Sequence, residues 1–202
     1  ITAAIIPVGS HMATLFTEHK ETILIAIGLF YFPELNNDHK EARERGKALC
    51  HRLDYSGTTY GFAVDFGLPS RSDEAGYKDP RRLNIQLPGE EVFNLQSFID
   101  EKEAQTNWIA GQLPSMLDLI KTMTSRDKPA ATLRALVHQE HESLHRKVKI
   151  GWAHRNGQFV FSNQHDGVGI GLDVEHDENE VAKALSAEVS ATSGYQVRVV
   201  AK

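Results

Sequence analysis

The longest uninterrupted apolar run in the chain is Ile23–Phe32, which reads ILIAIGLFYF and stops at Pro33. It is rich in β-branched and aromatic residues, which are enriched in strands, and it is apolar on both faces that a strand would present. A run of about ten residues is also much shorter than the roughly 20 that a membrane helix needs. We therefore predict that it forms a buried central strand, around which the neighbouring elements assemble.

The segments on the C-terminal side of this run predict a helix followed by a second strand. Asn36, Asn37 and Asp38 offer a helix cap, and an apolar stripe at helical spacing follows. That stripe consists of Ala42, Gly46, Leu49, Cys50 and Leu53. Residues 58–66 alternate loosely and predict a strand, so the order strand, helix, strand indicates an N-terminal βαβ-like unit. Because Cys50 belongs to the stripe, we interpret it as a packing thiol rather than a nucleophile.

The middle of the chain is predicted to be helical. Residues 67–80 form a long polar loop whose role the sequence leaves open, and residues 83–87 alternate as a half-exposed strand. Residues 90–147 carry apolar positions at helical spacing and predict a helical insertion or flanking bundle, with residues 92–99 starting its first helix. Pro114 should kink or split one of its helices, because proline cannot donate a backbone hydrogen bond.

The C-terminal part predicts a β-hairpin, a strand, a helix and a last strand. Asn156-Gly157 is a strong hairpin-turn signal between residues 148–153 and 158–162. Residues 167–174 predict the third strand, a helix should run from an Asp177 cap to Gly194, and residues 195–200 predict the last strand. The alternating Gly167, Gly169 and Gly171 are typical of bulges or close backbone approach rather than of a phosphate loop.

These elements predict an α+β protein with one domain and a mixed sheet of about five to seven strands. The domain is predicted to cover residues 12–202. Residues 1–11 are interpreted as a vector-derived tag remnant, since Gly9-Ser10-His11-Met12 is a familiar cloning scar.

Composition narrows the class of function. The net charge of −5 and the pI near 6.1 argue against a general nucleic-acid binder, which needs a basic surface. The single cysteine excludes an intramolecular disulfide and a cysteine zinc site, and it fits a reducing compartment. No apolar run reaches membrane-spanning length, so we expect no membrane association and a cytoplasmic location.

One short motif carries recognisable chemistry: residues 141–145 read HESLH. On a helix, His141 and His145 would share a face and could hold a zinc ion, with Glu142 placed to deprotonate a bound water. That arrangement would make the protein a zinc-dependent hydrolase. Candidates for the third zinc ligand are His138, His154, His165, Asp173, Glu175, His176 and Glu178.

The residues around the motif favour a simpler interpretation. Arg146 and Lys147 follow His145 directly, and two cations beside a ligand repel a dication. The alternative is a charged, half-exposed helix whose last turn offsets the helix dipole. We prefer this alternative, with no cofactor, and retain zinc as the second hypothesis.

A different feature points to a protein partner. The segment between Trp108 and Met123 carries more apolar residues than one buried helix face accommodates. The excess could pack on a neighbouring helix of the same chain, or on a second copy or partner protein, because aromatic and Met residues are enriched in interface cores. We expect Trp108 and Met116 to lie at the centre of such a surface.

The preferred hypothesis is therefore a non-enzymatic interaction or regulatory protein of the cytoplasm. It would act through an acidic surface or through the apolar helical face. The zinc hydrolase is the alternative, so whether the chain is an enzyme stays open. A nucleic-acid accessory protein ranks below both and would use Arg146, Lys147, Lys149, His154 and Arg155.

Overall fold

A computed structural model describes residues 10–55, 57–123, 128–163, 167–172, 176–194 and 197–201. Over these residues the chain is mainly helical, with two separate antiparallel two-stranded sheets, and it belongs to the α+β class. The predicted mixed sheet of five to seven strands is wrong for this part of the chain. The chain divides between Ala135 and Leu136 into two compact units, here called the N-terminal and C-terminal units.

The N-terminal unit contains six complete α-helices, three short 3-10 helices and two strands among its described residues. The helices are α1 (His11–Glu18), α2 (Lys20–Tyr31), α3 (His39–Asp54), α4 (Thr59–Asp65), α5 (Leu95–Gln112) and α6 (Pro114–Met123). Strands β1 (Asn84–Gln86) and β2 (Val92–Asn94) lie between α4 and α5. Helix α7 (Pro129–Arg155) begins in this unit and crosses the boundary into the next.

The apolar run Ile23–Phe32 is a helix, so the predicted central strand is wrong. Its residues lie in α2, where Ile23, Leu24 and Ile27 are fully buried. Gly28 allows this helix to pack closely against α3. A Cβ on Gly28 would lie 1.8 Å from the carbonyl oxygen of Ala42 in α3. The two helices therefore approach backbone to backbone, and an all-round apolar run serves a buried helix as well as it serves a strand.

The second half of the predicted βαβ-like unit is also wrong. Residues 59–65 form α4, and the Thr58 hydroxyl caps it by accepting a hydrogen bond from the Gly61 N–H at 3.1 Å. A side-chain cap of this kind favours the helix over an extended strand. With a helix in place of each predicted strand, no parallel crossover exists among residues 23–66 that the structure describes.

The helix predicted to follow the cap at residues 36–38 is confirmed as α3. The Asp38 carboxylate accepts a hydrogen bond from the Glu41 N–H at 3.0 Å, which caps the helix. All members of the predicted stripe are buried. Burial raises the pKa of the Cys50 thiol to about 12, so Cys50 stays protonated and acts as a packing group.

A short hairpin follows the long loop. The predicted strand at residues 83–87 is confirmed as β1, which pairs antiparallel with β2 so that Ile85 lies opposite Phe93. Residues 92–94 were predicted to start a helix, and this is wrong because they form β2. The helix begins only at Leu95, where the Asn94 side chain accepts a hydrogen bond from the Ser97 N–H at 2.8 Å. Pro114 splits the following helical region into α5 and α6, as predicted.

The C-terminal unit is built from the rest of α7, strands β3 (Phe159–Asn163) and β4 (Val168–Gly171), and helix α8 (Glu178–Ser193). The predicted Asn156-Gly157 hairpin is wrong, because α7 continues to Arg155. Gly157 has φ 69° and ends that helix. Its N–H donates to the His154 carbonyl at 3.2 Å, and the Gln158 N–H donates to the Ala153 carbonyl at 2.8 Å. This bonding pattern is a Schellman cap, in which glycine supplies the left-handed residue.

The predicted C-terminal helix is confirmed as α8. The Asp177 carboxylate caps it by accepting from the Asn179 N–H at 2.7 Å, and Gly194 ends it with φ 76°. The predicted last strand is wrong for the described residues 197–200, which join no sheet. Their backbone is held by serine hydroxyls of α8: the Val197 N–H donates to Ser190 Oγ at 2.8 Å, and the Val199 N–H donates to Ser186 Oγ at 2.9 Å.

Among the residues that the structure describes, no helix combines the length and the apolar character needed to cross a membrane.

Candidate functional site

The histidine motif lies on the part of α7 that belongs to the C-terminal unit. His141 and His145 are one helical turn apart and therefore share a face, as the motif requires. His145 is buried, with 9% of its surface exposed, whereas His141 and Glu142 are half-buried. The helix thus brings together the two predicted ligands and places the predicted general base beside them.

The electrostatic surroundings of His145 oppose a cation. Burial lowers the pKa of His145 below its usual value, and the neighbouring Lys149 and His141 lower it further. The imidazole is therefore neutral at pH 7, which is the form that binds metals. The ammonium of Lys149 that lowers this pKa would also repel a metal ion bound at the same place.

The structure does not assemble a set of three ligands around the motif from the described residues. Within that part of the chain, the group of His, Cys, Asp or Glu side chains that could hold an ion is Glu18, His19 and Glu91. Their ligand atoms lie within 4.8 Å of one another, in the N-terminal unit. The sequence could not indicate this group, because Glu91 lies far from the other two along the chain. The candidates His165, Asp173 and Glu175 lie outside the described residues.

We predict that protein purified without a histidine tag carries no stoichiometric zinc, because a charged helix with two histidines binds zinc weakly without a third ligand. Elemental analysis measures the metal content directly. One zinc per chain that disappears in His141→Ala, but persists in the exposed control His39→Ala, would contradict the prediction. That result would support the hydrolase with Glu142 as its general base.

The apolar side of α6 is the second candidate site. Met116, Leu119 and Met123 lie at positions i, i+3 and i+7 of this helix, and they are 50%, 54% and 74% exposed. Ile120, on the adjacent part of the helix surface, is buried. Helix α6 thus packs through Ile120, and its other large apolar side chains named here are exposed to solvent. We call Met116, Leu119 and Met123 the α6 apolar face.

The charged residues of α6 lie away from this face. Asp118 and Lys121 form an exposed ion pair at 2.9 Å, and both lie on the opposite side of the helix. Trp108 and Met116 are the two residues expected at the centre of an interaction surface, and of these Met116 belongs to the α6 apolar face. Trp108 is half-buried on α5, the preceding helix. Leu119 was not singled out from the sequence, because its exposure depends on how α6 packs.

Comparisons of the chain with protein-family models, with curated proteins and with solved structures gave no match.

Proposed function

We propose that the protein is a non-enzymatic protein-interaction or regulatory protein, and that the α6 apolar face is the surface through which it binds. One observation carries this proposal: three large apolar side chains lie together on one exposed helix face that contains no charge. Helices that dock into another protein present their anchors at this i, i+3, i+7 spacing. Methionine suits such a surface, because its flexible side chain adapts to the opposing surface.

The free energy available from burying this face favours reversible binding. Fully burying a Leu or Met side chain contributes about 1.5–3 kcal/mol, so burying the half that is exposed on each of these residues contributes about 3 kcal/mol together. Association costs about 4–15 kcal/mol in lost freedom of motion. The face is therefore the central cluster of an interface whose rim must supply further contacts. Weak, reversible association of this kind fits a regulatory protein.

We propose a second copy of the same chain as the occupant. The helix reads MLDLIKTM from Met116 to Met123, and the two methionines at its ends are equidistant from the bond between Leu119 and Ile120. Two antiparallel copies related by a two-fold axis would place Met116 of one against Met123 of the other. A two-fold axis also brings the residues next to it close to their own copies, so a face without charge avoids repulsion between like charges.

We further propose that this association takes place in the cytoplasm. The support is the single cysteine, Cys50, which is buried and free, as expected in a reducing compartment.

Analytical ultracentrifugation tests the proposal. We expect the wild type to self-associate at about 100 µM, as the modest buried area implies, and the double variant Met116→Glu, Met123→Glu to sediment as a monomer. The matched control is Tyr60→Glu, Val64→Glu, which adds the same charge at exposed apolar positions of α4. A wild type that stays monomeric at this concentration, or a control that dissociates equally, would contradict self-association through α6.

A further inference from the structure

The two strands of the C-terminal unit present a pair of aromatic rings to solvent. Phe159 and Phe161 are 70% and 66% exposed, whereas Val160 between them is half-buried. The ring of Phe161 lies against Gly169 and that of Phe159 beside Gly171. These glycines are two apart in β4 and face the same side of the sheet, so both rings lie over that side. Exposed phenylalanines are costly in water, and two on one sheet face form a flat apolar platform.

The opposite strand is shaped to hold these rings. A Cβ on Gly169 would lie 2.7 Å from Cε2 and 2.8 Å from Cζ of Phe161, so the ring lies directly against the glycine backbone. Gly171 is the ladder partner of Phe159, and a Cβ there would lie 3.9 Å from Cδ1 of Phe159, which is an ordinary contact. The ladder also shifts register between Val160 and Ser162, which makes Phe161 the bulged residue. Bulges of this kind re-aim a side chain, and here one side of the ring is supported while much of its surface stays exposed.

Cationic side chains accompany the platform. Phe161 lines a cavity of about 660 Å³ whose wall also contains Lys149 from α7 and Arg198 from the C-terminal segment. Glu178 is the carboxylate in the same lining. The chain from Ser143 to Asn163, which supplies Lys149 and both phenylalanines, contains four Lys or Arg residues and no acidic residue. Arg155 of this stretch forms an ion pair with Glu188 of α8, whereas Lys149 and Arg198 place positive charge beside Phe161.

We propose that Phe159 and Phe161 stack on unpaired bases of a single-stranded nucleic acid, with Lys149 and Arg198 contacting its phosphates. Exposed aromatics on a sheet are how many proteins hold single strands, because every base has a face that can stack. The overall charge of −5 argues against binding along a general basic surface, but this mode needs positive charge only beside the stacked bases, where Lys149 and Arg198 lie. Glu178 disfavours phosphates close to it and suits the amino groups of bases.

Fluorescence anisotropy with a labelled oligothymidylate of about 15 nucleotides tests the proposal, since single-strand sites span up to about 16 nucleotides. We expect the single strand to bind more tightly than the same sequence in a duplex. Phe161→Leu should weaken binding about tenfold and Phe159→Leu similarly, because leucine keeps apolar bulk without an aromatic face. Phe161→Tyr should bind like the wild type. The control Tyr60→Ala removes an exposed aromatic of α4 and should change nothing.

Salt dependence tests the role of the cations. Two phosphate contacts predict that log Kobs falls against log salt concentration with a slope of about −1.4, and Lys149→Ala should reduce that slope by about 0.7. Lys183→Ala, an exposed cation of α8 outside the cavity, is the matched control. Equal binding by the Phe→Leu variants, a preference for duplex, or binding of a neutral oligosaccharide in place of the oligonucleotide would overturn the proposal.

Discussion

Gly28→Ala is expected to lower the free energy of unfolding by about 3 kcal/mol, as overpacking of a tight core does. The new Cβ would lie 1.8 Å from the carbonyl oxygen of Ala42, and that neighbour is backbone rather than a flexible side chain. Helices α2 and α3 would therefore have to move apart. Gly46→Ala should behave similarly, because its Cβ would lie 2.0 Å from the carbonyl oxygen of Leu24.

Urea unfolding of the two variants beside Gly111→Ala measures this effect. Gly111 also lies in a helix, α5, but a Cβ there would have no atom within 4 Å. Alanine at that position should stabilise the protein by about 0.5–1 kcal/mol, because it restricts the unfolded chain more than glycine does. The same substitution thus has opposite signs at the two sites. Unchanged stability of Gly28→Ala would show that α2 and α3 are not in backbone contact.

Arg134→Met is expected to lower the free energy of unfolding by about 3 kcal/mol, the scale of losing one partner in a buried polar network. The Arg134 side chain is 1% exposed. Its guanidinium donates to the carbonyls of Leu53 and Lys102 at 2.8 Å, and also to the Asp54 carbonyl. Leu53 and Asp54 are the last residues of α3, so Arg134 caps that helix from a distant part of the chain.

A second variant separates charge from geometry at this position, and a variant elsewhere serves as its control. Arg134→Lys should recover only part of the loss, because an ammonium cannot reach carbonyls on both sides as the planar guanidinium does. Arg82→Met, at an exposed arginine, is the matched control and should change the stability by less than about 0.5 kcal/mol. Chemical denaturation gives all three values. An Arg134→Met variant as stable as the control would mean that water satisfies these carbonyls.

Elements with strong local signals were predicted correctly from the sequence. The cap at Asp38 and the stripe through Leu49 identified α3, and Asp177 with Gly194 identified α8. In these helices the capping residues and the apolar spacing point to the same structure, and the stabilising hydrogen bonds join residues close together in the chain. Pro114 belongs with them, because its missing N–H acts on its own helix.

Other elements have local signals that suit two structures. The run Ile23–Phe32 is apolar on every side, so it has no period that distinguishes a buried strand from a buried helix. Asn156-Gly157 suits a hairpin turn and a helix C-terminus equally, since both use a glycine with positive φ. Only the continuation of α7 to Arg155 decides between them.

The candidate sites also combine features that the sequence determines with features that only the folded chain shows. The spacing of His141 and His145 alone determined that they share a helix face, because the period of a helix is a local property. The proximity of Lys149 to His145 follows from the same four-residue spacing, whereas the burial of His145 became visible only in the folded unit. Sequence likewise determined that the α6 region has more apolar residues than one packed side can use. Which of them stay exposed was decided by tertiary packing, because exposure depends on residues that are distant in the chain.

The sequence by itself thus determined the helices with caps and stripes, the acidic composition and the spacing of the motif residues. Tertiary structure alone decided the backbone contact at Gly28, the cap that Arg134 provides, and the platform of Phe159 and Phe161. The physical reason is the same in each case. Caps and periodicity act within a few residues, whereas close helix approach, remote capping and solvent exposure depend on which distant segments meet.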